Sequence, residues 1–297
     1  MDQSAGRVVV VGDALIDELR TPEGSDDHVG GAGLNVAVGL ARLGVPTTLL
    51  ASVGDDADGA SIRSHLAEHG VELVATVNPL GTGRAVSERV DGEPTYAFSD
   101  AAVARTLDFS PAQEAAIATA PLVAVSSYPF DDARATERLL DVVGERPPRL
   151  VVDPNPRPGF LRDAARFVAG FERAARLALL VKVGEDDAAL VAGTSVDEWR
   201  RRLLDAGAGA VLATYGADGA TLERAGHEPI RRGISALPGG VVDTMGAGDA
   251  TFAAIVASLL ARTEGAGGTD WAAALERAMD VAAATVRAPG ALLREPS

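Results

Sequence analysis

Apolar positions along the chain follow two rhythms. Residues 7–12 (RVVVVG) form a short valine-rich run, the pattern of a strand buried on both faces of a parallel sheet. Residues 35–43 (NVAVGLARL) carry apolar side chains at helical spacing and stop at Gly44. A second apolar run at 47–53 (TTLLASV) follows, so a strand–helix–strand unit is predicted. The same alternation returns at 122–126, 150–153, 179–183 and 210–215, beside alanine-rich helical stretches such as 133–143. A mostly parallel α/β sheet covered by helices follows from this order. Two segments, 17–30 and 82–108, break the rhythm. In the second, RAVSERV and TYAFS flank Asp91-Gly92-Glu93-Pro94 and read as a hairpin forming a small sheet off the main one. No repeat or linker divides the chain, and EGAGGT at 264–269 reads as a loop between the last two helices. One domain over residues 1–297 is expected, with lid segments at about 14–30 and 82–108 inserted in it.

Composition narrows the function classes. With 297 residues and 47% hydrophobic content the chain can bury a substantial core. It has no run of roughly 18 apolar residues, and MDQSAG at its start lacks the basic and apolar regions of an export signal, so a cytoplasmic location is expected. The absence of cysteine excludes disulfides, thiolate metal sites and thiol nucleophiles. A formal net charge of -15 argues against general nucleic-acid affinity, because phosphate neutralisation needs a basic surface. Nothing suggests membrane attachment. The histidines, at 28, 65, 69 and 227, show no metal-ligand spacing. Lys182 is the only lysine.

The most informative stretch is Asp243-Thr244-Met245-Gly246-Ala247-Gly248-Asp249, ahead of an alanine-rich helix expected over 250–261. Glycines before a helix let the backbone approach an anion, and the free first-turn amides add donors at the positive end of the helix dipole. This is a phosphate cradle without the Gly-Lys-Ser/Thr of a Walker A loop and without a dinucleotide fingerprint. Asp249 would be repelled by phosphate unless it serves the attack, for instance by accepting the proton of an incoming hydroxyl. The plainer reading is an N-cap aspartate after a glycine turn. The residues alone leave both open.

DTMGAGDATF resembles the C-terminal signature of the PfkB, or ribokinase-like, carbohydrate kinases, and other segments match in family order. Gly12-Asp13 with Asp17 resembles the sugar-binding G-[DE]-x-x-x-D, and Gly30-Gly31-Ala32-Gly33-Leu34-Asn35 followed by VAVGLARLG the N-terminal signature. Ser52-Val53-Gly54-Asp55-Asp56 with Gly59 looks like the V-G-x-D-x-x-G turn. Asp153-Pro154-Asn155-Pro156-Arg157 resembles the D-x-N-x-R of the fructokinase-like branch, and Thr214-Tyr215-Gly216-Ala217-Asp218-Gly219 the T-x-G-x-x-G bordering the nucleotide. The chain departs from the pattern where many members carry N-x-x-E: here Gly184-Glu185-Asp186-Asp187 keeps a shortened acid and lacks the asparagine.

The resemblance implies a three-layer α/β sandwich with a β-sheet lid, and ATP-dependent phosphorylation of a fructose-like sugar or a sugar acid like 2-keto-3-deoxygluconate. It makes Asp249 the general base and Gly246, Ala247 and Gly248 the anion hole. Asp13, Asp17, Gly31, Ala32, Gly33, Asn35 and Arg157 would meet the substrate, with Tyr96 and Phe98 on the lid. Lys182, Gly184, Thr214, Gly216 and Gly219 would border the nucleotide. Asp187 would stand in the shell of Mg2+, and Asp243, with carbonyls near Gly290, beside a monovalent cation such as K+. A homodimer through the lid is expected. Each residue also has a purely structural reading: Asp13 and Asp17 as solvated loop acids, Asn35 as a helix cap, Lys182 as a strand-end lysine. Two other functions fit the same residues: a nucleoside kinase of this fold using Asp249 on a ribose hydroxyl, and a catalytically silent sugar or nucleotide sensor.

Overall fold

The computed structural model describes residues 6–21, 24–90, 93–144, 149–263 and 269–296. The chain begins with β1 (Val8–Gly12), β2 (Leu15–Thr21) and β3 (Gly24–Gly30), then α1 (Ala32–Arg42), β4 (Thr47–Leu50), β5 (Ser52–Val53) and α2 (Ala57–Glu68). Short strands β6 (Glu72–Leu73) and β7 (Thr76–Val77) precede β8 (Arg84–Val90), β9 (Glu93–Phe98) and the one-turn α3 (Asp100–Val103). Alternation resumes with α4 (Pro111–Thr119), β10 (Leu122–Ser126), α5 (Ala133–Val143), β11 (Leu150–Asp153), α6 (Ala164–Ala175) and β12 (Ala178–Gly184). Beyond the short α7 (Glu185–Asp187) come α8 (Val196–Asp205), β13 (Ala210–Thr214), β14 (Ala220–Arg224) and β15 (Ile230–Arg232). The last elements are α9 (Ala247–Thr263) and α10 (Trp271–Thr285). Polar caps set several helix starts: Ser110 and Ser195 form reciprocal capping boxes with Gln113 and Glu198, and Asp56, Asp132 and Asp163 accept first-turn N–H groups.

Among the described residues nine strands form the main sheet in the order β15-β14-β13-β12-β11-β10-β1-β4-β6, parallel throughout except for β14 and β15 at one edge. The valines of β1 explain the sandwich. Val8 and Val10 point into a core closed by α1, α2, α9 and α10, and Val9 and Val11 into one closed by α4, α5, α6 and α8. Both faces are therefore buried, as a parallel sheet requires. From β1 the chain runs outward to β4 and β6 and then returns to place β10 on the other side of β1. The carboxyl ends of β1 and β10 thus flank a topological switch point, where open α/β sheets form their ligand crevice.

A second sheet, ordered β3-β2-β8-β9, is formed from the two segments that broke the sequence rhythm, except that residues 99–108 of the second lie outside it in α3 and a loop. β8 and β9 form the expected hairpin, with Val90 opposite Glu93. Its Asp91-Gly92 tip lies outside the described residues, as do residues 264–268 of the expected loop. Leu15 and Ala85 of this sheet pack on Ala102 and Phe160. Among the described residues no helix is long and apolar enough to cross a membrane.

Two expectations need correction. The 47–53 run is not one strand: β4 ends at Leu50, and β5 pairs instead with β7 in a separate ribbon. The helix expected from residue 250 begins at Ala247, because the positive φ of Gly246 (74°) completes the turn and its carbonyl accepts the Ala250 N–H at 2.8 Å. Asp249 therefore sits within the first helical turn and not ahead of it as an N-cap.

Candidate active site

The crevice is built from strand ends lying side by side: Asp13 follows β1, Ser127 follows β10, Asp153 ends β11, Lys182 lies near the end of β12 and Thr214 ends β13. At roughly 4.8 Å between neighbouring strands the row spans about 19 Å. The sugar-type motif stands at one end and the T-x-G-x-x-G motif at the other.

At the β1 end, α1 starts in contact with the strand. A Cβ on Gly33 would lie 2.7 Å from the Gly12 Cα, so only glycine allows this approach. The contact brings the Gly33 N–H to Asp13 Oδ1 at 2.9 Å, and the buried Ser127 hydroxyl donates to Asp13 Oδ2 at 3.1 Å. Gly31 and Ala32 open the same helix, the Gly31 carbonyl accepting the Asn35 N–H at 2.8 Å. Asp17, on β2 opposite His28, is pushed up to about 6, chiefly by burial and then by the charge of Asp13, with His28 and Arg157 opposing.

Above the middle of the row stands the first turn of α9. A Cβ on Gly246 would come within 2.0 Å of the Ala291 carbonyl oxygen, so the turn closes against the C-terminal segment. Ala247, Gly248 and Asp249 fill this first turn, where helical N–H groups lack intrahelical acceptors; the Ala247 N–H donates to the Thr244 carbonyl at 3.3 Å. Asp249 Oδ2 accepts from Asn35 Nδ2 at 3.0 Å. Burial pushes the Asp249 carboxyl up to about 7; Asp153 adds to the rise, while the Asn35 hydrogen bond, Lys182 and Arg157 hold it down. Such a group exchanges a proton near neutrality, as a base acting on a hydroxyl must.

Beneath that turn, Lys182 Nζ meets Asp153 Oδ2 at 2.8 Å, both side chains being almost wholly buried. Burial works against the ammonium, but Asp153, Asp187 and Asp249 raise its pKa above the ordinary lysine value. A Cβ on Gly248 would lie 3.4 Å from Lys182 Nζ, so the charge sits directly under the amide turn. The Asp187 carboxyl is raised by burial, and its Oδ2 accepts the Gly184 N–H at 2.8 Å. Gly184 pairs with Thr214 in register, and Gly219 backs onto Arg232 with a positive φ of 92°. Gly216, also at positive φ, has open space beside it. Asp243 ties the loop before α9 to the C-terminal turn, its two oxygens accepting N–H groups from Met245 (2.9 Å) and Gly290 (3.1 Å).

Arg157 is exposed, yet its charge acts on Asp17, Asp187 and Asp249, which puts it at the crevice. Phe98 stacks on Phe160 with ring centroids 4.0 Å apart. Tyr96 faces Ser87 in the β8–β9 register, but its side chain is outside what the structure describes. Sequence reasoning missed Arg105. Its Nε donates to the Ser127 carbonyl at 3.2 Å, its Cζ lies 3.8 Å from the Phe160 ring centroid, and burial pulls its pKa down to about 10 while Asp13 opposes the fall. Among the described residues its two terminal nitrogens have no hydrogen-bond partner. Arg105 sits in an irregular loop without a motif, so no pattern could have flagged it.

Known proteins resemble this chain in sequence and in fold. The family described as pfkB family carbohydrate kinase matches residues 6–297. A fructokinase of Rhizobium leguminosarum bv. trifolii is 32% identical over 275 residues, covering 85% of this chain and 79% of that protein. The crystal structure of a fructokinase from Xylella fastidiosa with bound ATP superposes with a TM-score of 0.81 at 23% identity, covering 97% of this chain and 94% of the other. Aminoimidazole riboside kinase from Salmonella enterica, complexed with aminoimidazole riboside and an ATP analog, gives a TM-score of 0.76 at 25% identity over 96% and 95% of the two chains.

Proposed function

The chain belongs to the pfkB family of carbohydrate kinases, and on that premise we propose that it transfers the terminal phosphoryl group of ATP to a hydroxyl of a sugar acid of the 2-keto-3-deoxygluconate kind. The nucleotide lies over the ends of β12 and β13, beside Thr214, Gly216 and Gly219, and the acceptor over β1 and β10. Asp249 takes the proton of the acceptor hydroxyl as its oxygen attacks the γ-phosphorus in line, and ADP leaves. The amides of Gly246 to Asp249 receive the charge on the transferred group, with Lys182 below them, so positioning and electrostatics supply most of the acceleration.

Asp187, with one oxygen on the Gly184 N–H, would help hold magnesium through the other, and the metal when bound would offset the charge of the ATP phosphates. Asp243 would similarly organise the turn beside a monovalent cation. The β3-β2-β8-β9 sheet acts as a lid on a single catalytic domain, keeping water from the phosphoryl group. Pairing of two copies through that sheet and a cytoplasmic location belong to the same reading.

The observation that carries the choice of a sugar acid is Arg105. A half-buried guanidinium packed on Phe160, adjoining Asp13 through Ser127 and with two unpaired terminal nitrogens among the described residues, fits a carboxylate better than a neutral hydroxyl. Likeness to aminoimidazole riboside kinase keeps a nucleoside acceptor as a second reading. The Phe98 ring, already stacked on Phe160, counts against base stacking there. ADP release with Mg-ATP and potassium, measured across 2-keto-3-deoxygluconate, fructose, ribose and nucleosides beside Asp249→Asn and Arg105→Ala, tests the proposal. Turnover highest on the sugar acid, lost with Asp249→Asn and selectively impaired on that acid with Arg105→Ala, supports it. A preference for fructose or a nucleoside that Arg105→Ala leaves unchanged sinks the sugar-acid reading.

A further inference from the structure

Among the described residues three non-glycine residues hold positive φ: Phe109, Ser127 and Asn155. Ser127, with φ of 54° and 2% exposure, immediately follows β10 at the topological switch point. A buried serine in the left-handed region is uncommon, and such geometry persists where surrounding contacts dictate it. Three contacts do so here. The Ser127 N–H donates to the Asp153 carbonyl at 3.3 Å, its hydroxyl donates to Asp13 Oδ2 at 3.1 Å, and its carbonyl accepts from Arg105 Nε at 3.2 Å.

We infer that Ser127 is a positioning residue that fixes the Asp13 carboxylate and the Arg105 guanidinium relative to each other, and so sets the spacing between hydroxyl and anion that an acceptor must match. The inference rests on Asp13 and Arg105 meeting the acceptor, as proposed above. The geometry supports it from both ends. Asp13 has one oxygen on the Gly33 amide and the other on the Ser127 hydroxyl, so removing the hydroxyl frees the carboxylate to swing about its remaining anchor. Arg105 is held by the Phe160 face and the Ser127 carbonyl, and the direction of that carbonyl depends on the positive φ. At an ordinary negative φ the hydroxyl and the carbonyl would both turn away from their partners. Two groups from distant segments, after β1 and after α3, thereby share one rigid reference.

Ser127→Gly separates the two contributions, since glycine keeps the positive φ without strain while losing the hydroxymethyl group and its donor, whereas Ser127→Asn tolerates the left-handed region and carries an amide donor toward Asp13. Steady-state kinetics on the best acceptor among 2-keto-3-deoxygluconate, fructose and ribose should show Ser127→Gly raising the acceptor KM about ten-fold, the scale of one hydrogen bond to a charged group, with the ATP KM unchanged. Ser127→Asn should recover most of the loss. A crystal structure of Ser127→Gly reads the effect without substrate, the Asp13 carboxylate turning from its wild-type orientation. An unchanged acceptor KM in Ser127→Gly, while Asp13→Ala and Arg105→Ala both raise it, overturns the positioning role and leaves the site assignment standing. If Asp13→Ala and Arg105→Ala leave the acceptor KM unchanged, the site assignment itself fails and takes this inference with it. An Asp13 carboxylate that stays in place in Ser127→Gly, to within about 0.5 Å, also overturns it.

Discussion

Asn35 Nδ2 donates to Asp249 Oδ2 across 3.0 Å, although 214 residues separate the two in sequence. The donor stands on the first helix and the acceptor on the ninth, and both helices cover the same face of the main sheet. The amide stabilises the ionised carboxylate, opposing the burial that pushes Asp249 up to about 7. Asn35→Leu should therefore raise that pKa further and move the acidic limb of the kcat/KM profile to higher pH, lowering the rate most below neutrality. A pH–rate profile whose acidic limb is unmoved would show that Asn35 does not tune the base.

Asp249→Asn should lower kcat by about two to four orders of magnitude, the usual contribution of a general base. Its effect on stability runs the other way. Because the folded state holds the Asp249 proton up to about pH 7 and the unfolded state releases it near pH 4, ionisation destabilises the wild type progressively as pH rises through that window. The variant has no such penalty. It should melt higher than wild type at pH 8, by on the order of 1–2 kcal/mol in stability, with the gap closing toward pH 4. Thermal melts at the two pH values check this, and an equal gap at both would contradict the buried-carboxyl account.

Lys182 and Asp153 form an ion pair at 2.8 Å with almost no solvent contact. Removing one partner strands a buried charge, so Lys182→Met should cost about 3–5 kcal/mol of stability, and the double variant Lys182→Met, Asp153→Asn should recover much of it. Chemical denaturation of the single and double variants measures the coupling. Additive losses would mean that the pair is not energetically coupled.

Arg84 joins the small sheet to the body: it bonds Asp58 on α2 at 2.6 and 2.9 Å, Asp27 on β3 at 2.9 Å and Glu18 on β2 at 3.0 Å. These groups are partly exposed, so Arg84→Met should change stability by only about 1 kcal/mol. If the sheet acts as a lid, the same variant should raise the acceptor KM several-fold and increase acceptor-independent ATP hydrolysis, because a loosened cover admits water. Unchanged KM and unchanged background hydrolysis would separate Arg84 from lid function.

Much of this architecture was legible locally. Four valines in β1 announced burial on both faces, the departure from that rhythm at 17–30 and 82–108 marked the segments that carry the small sheet, and the glycine ahead of α9 marked a tight turn into that helix. These features depend on neighbours within one turn or one strand, so periodicity and backbone chemistry determine them. Pairings across the crevice do not. That Lys182 would be buried on Asp153 beneath Gly248, that Asn35 would hold Asp249, and that Ser127 would join Asp13 to Arg105 all follow from which strand ends lie side by side and how α1 and α9 close over them. The break between β4 and β5 is of the same kind, since strand pairing overrode a continuous apolar run. Sequence alone determined the elements and the reactive groups they carry. Tertiary structure decided which charges meet and how much water they lose, because desolvation and directed hydrogen bonds act over a few ångströms in space, whatever the distance along the chain.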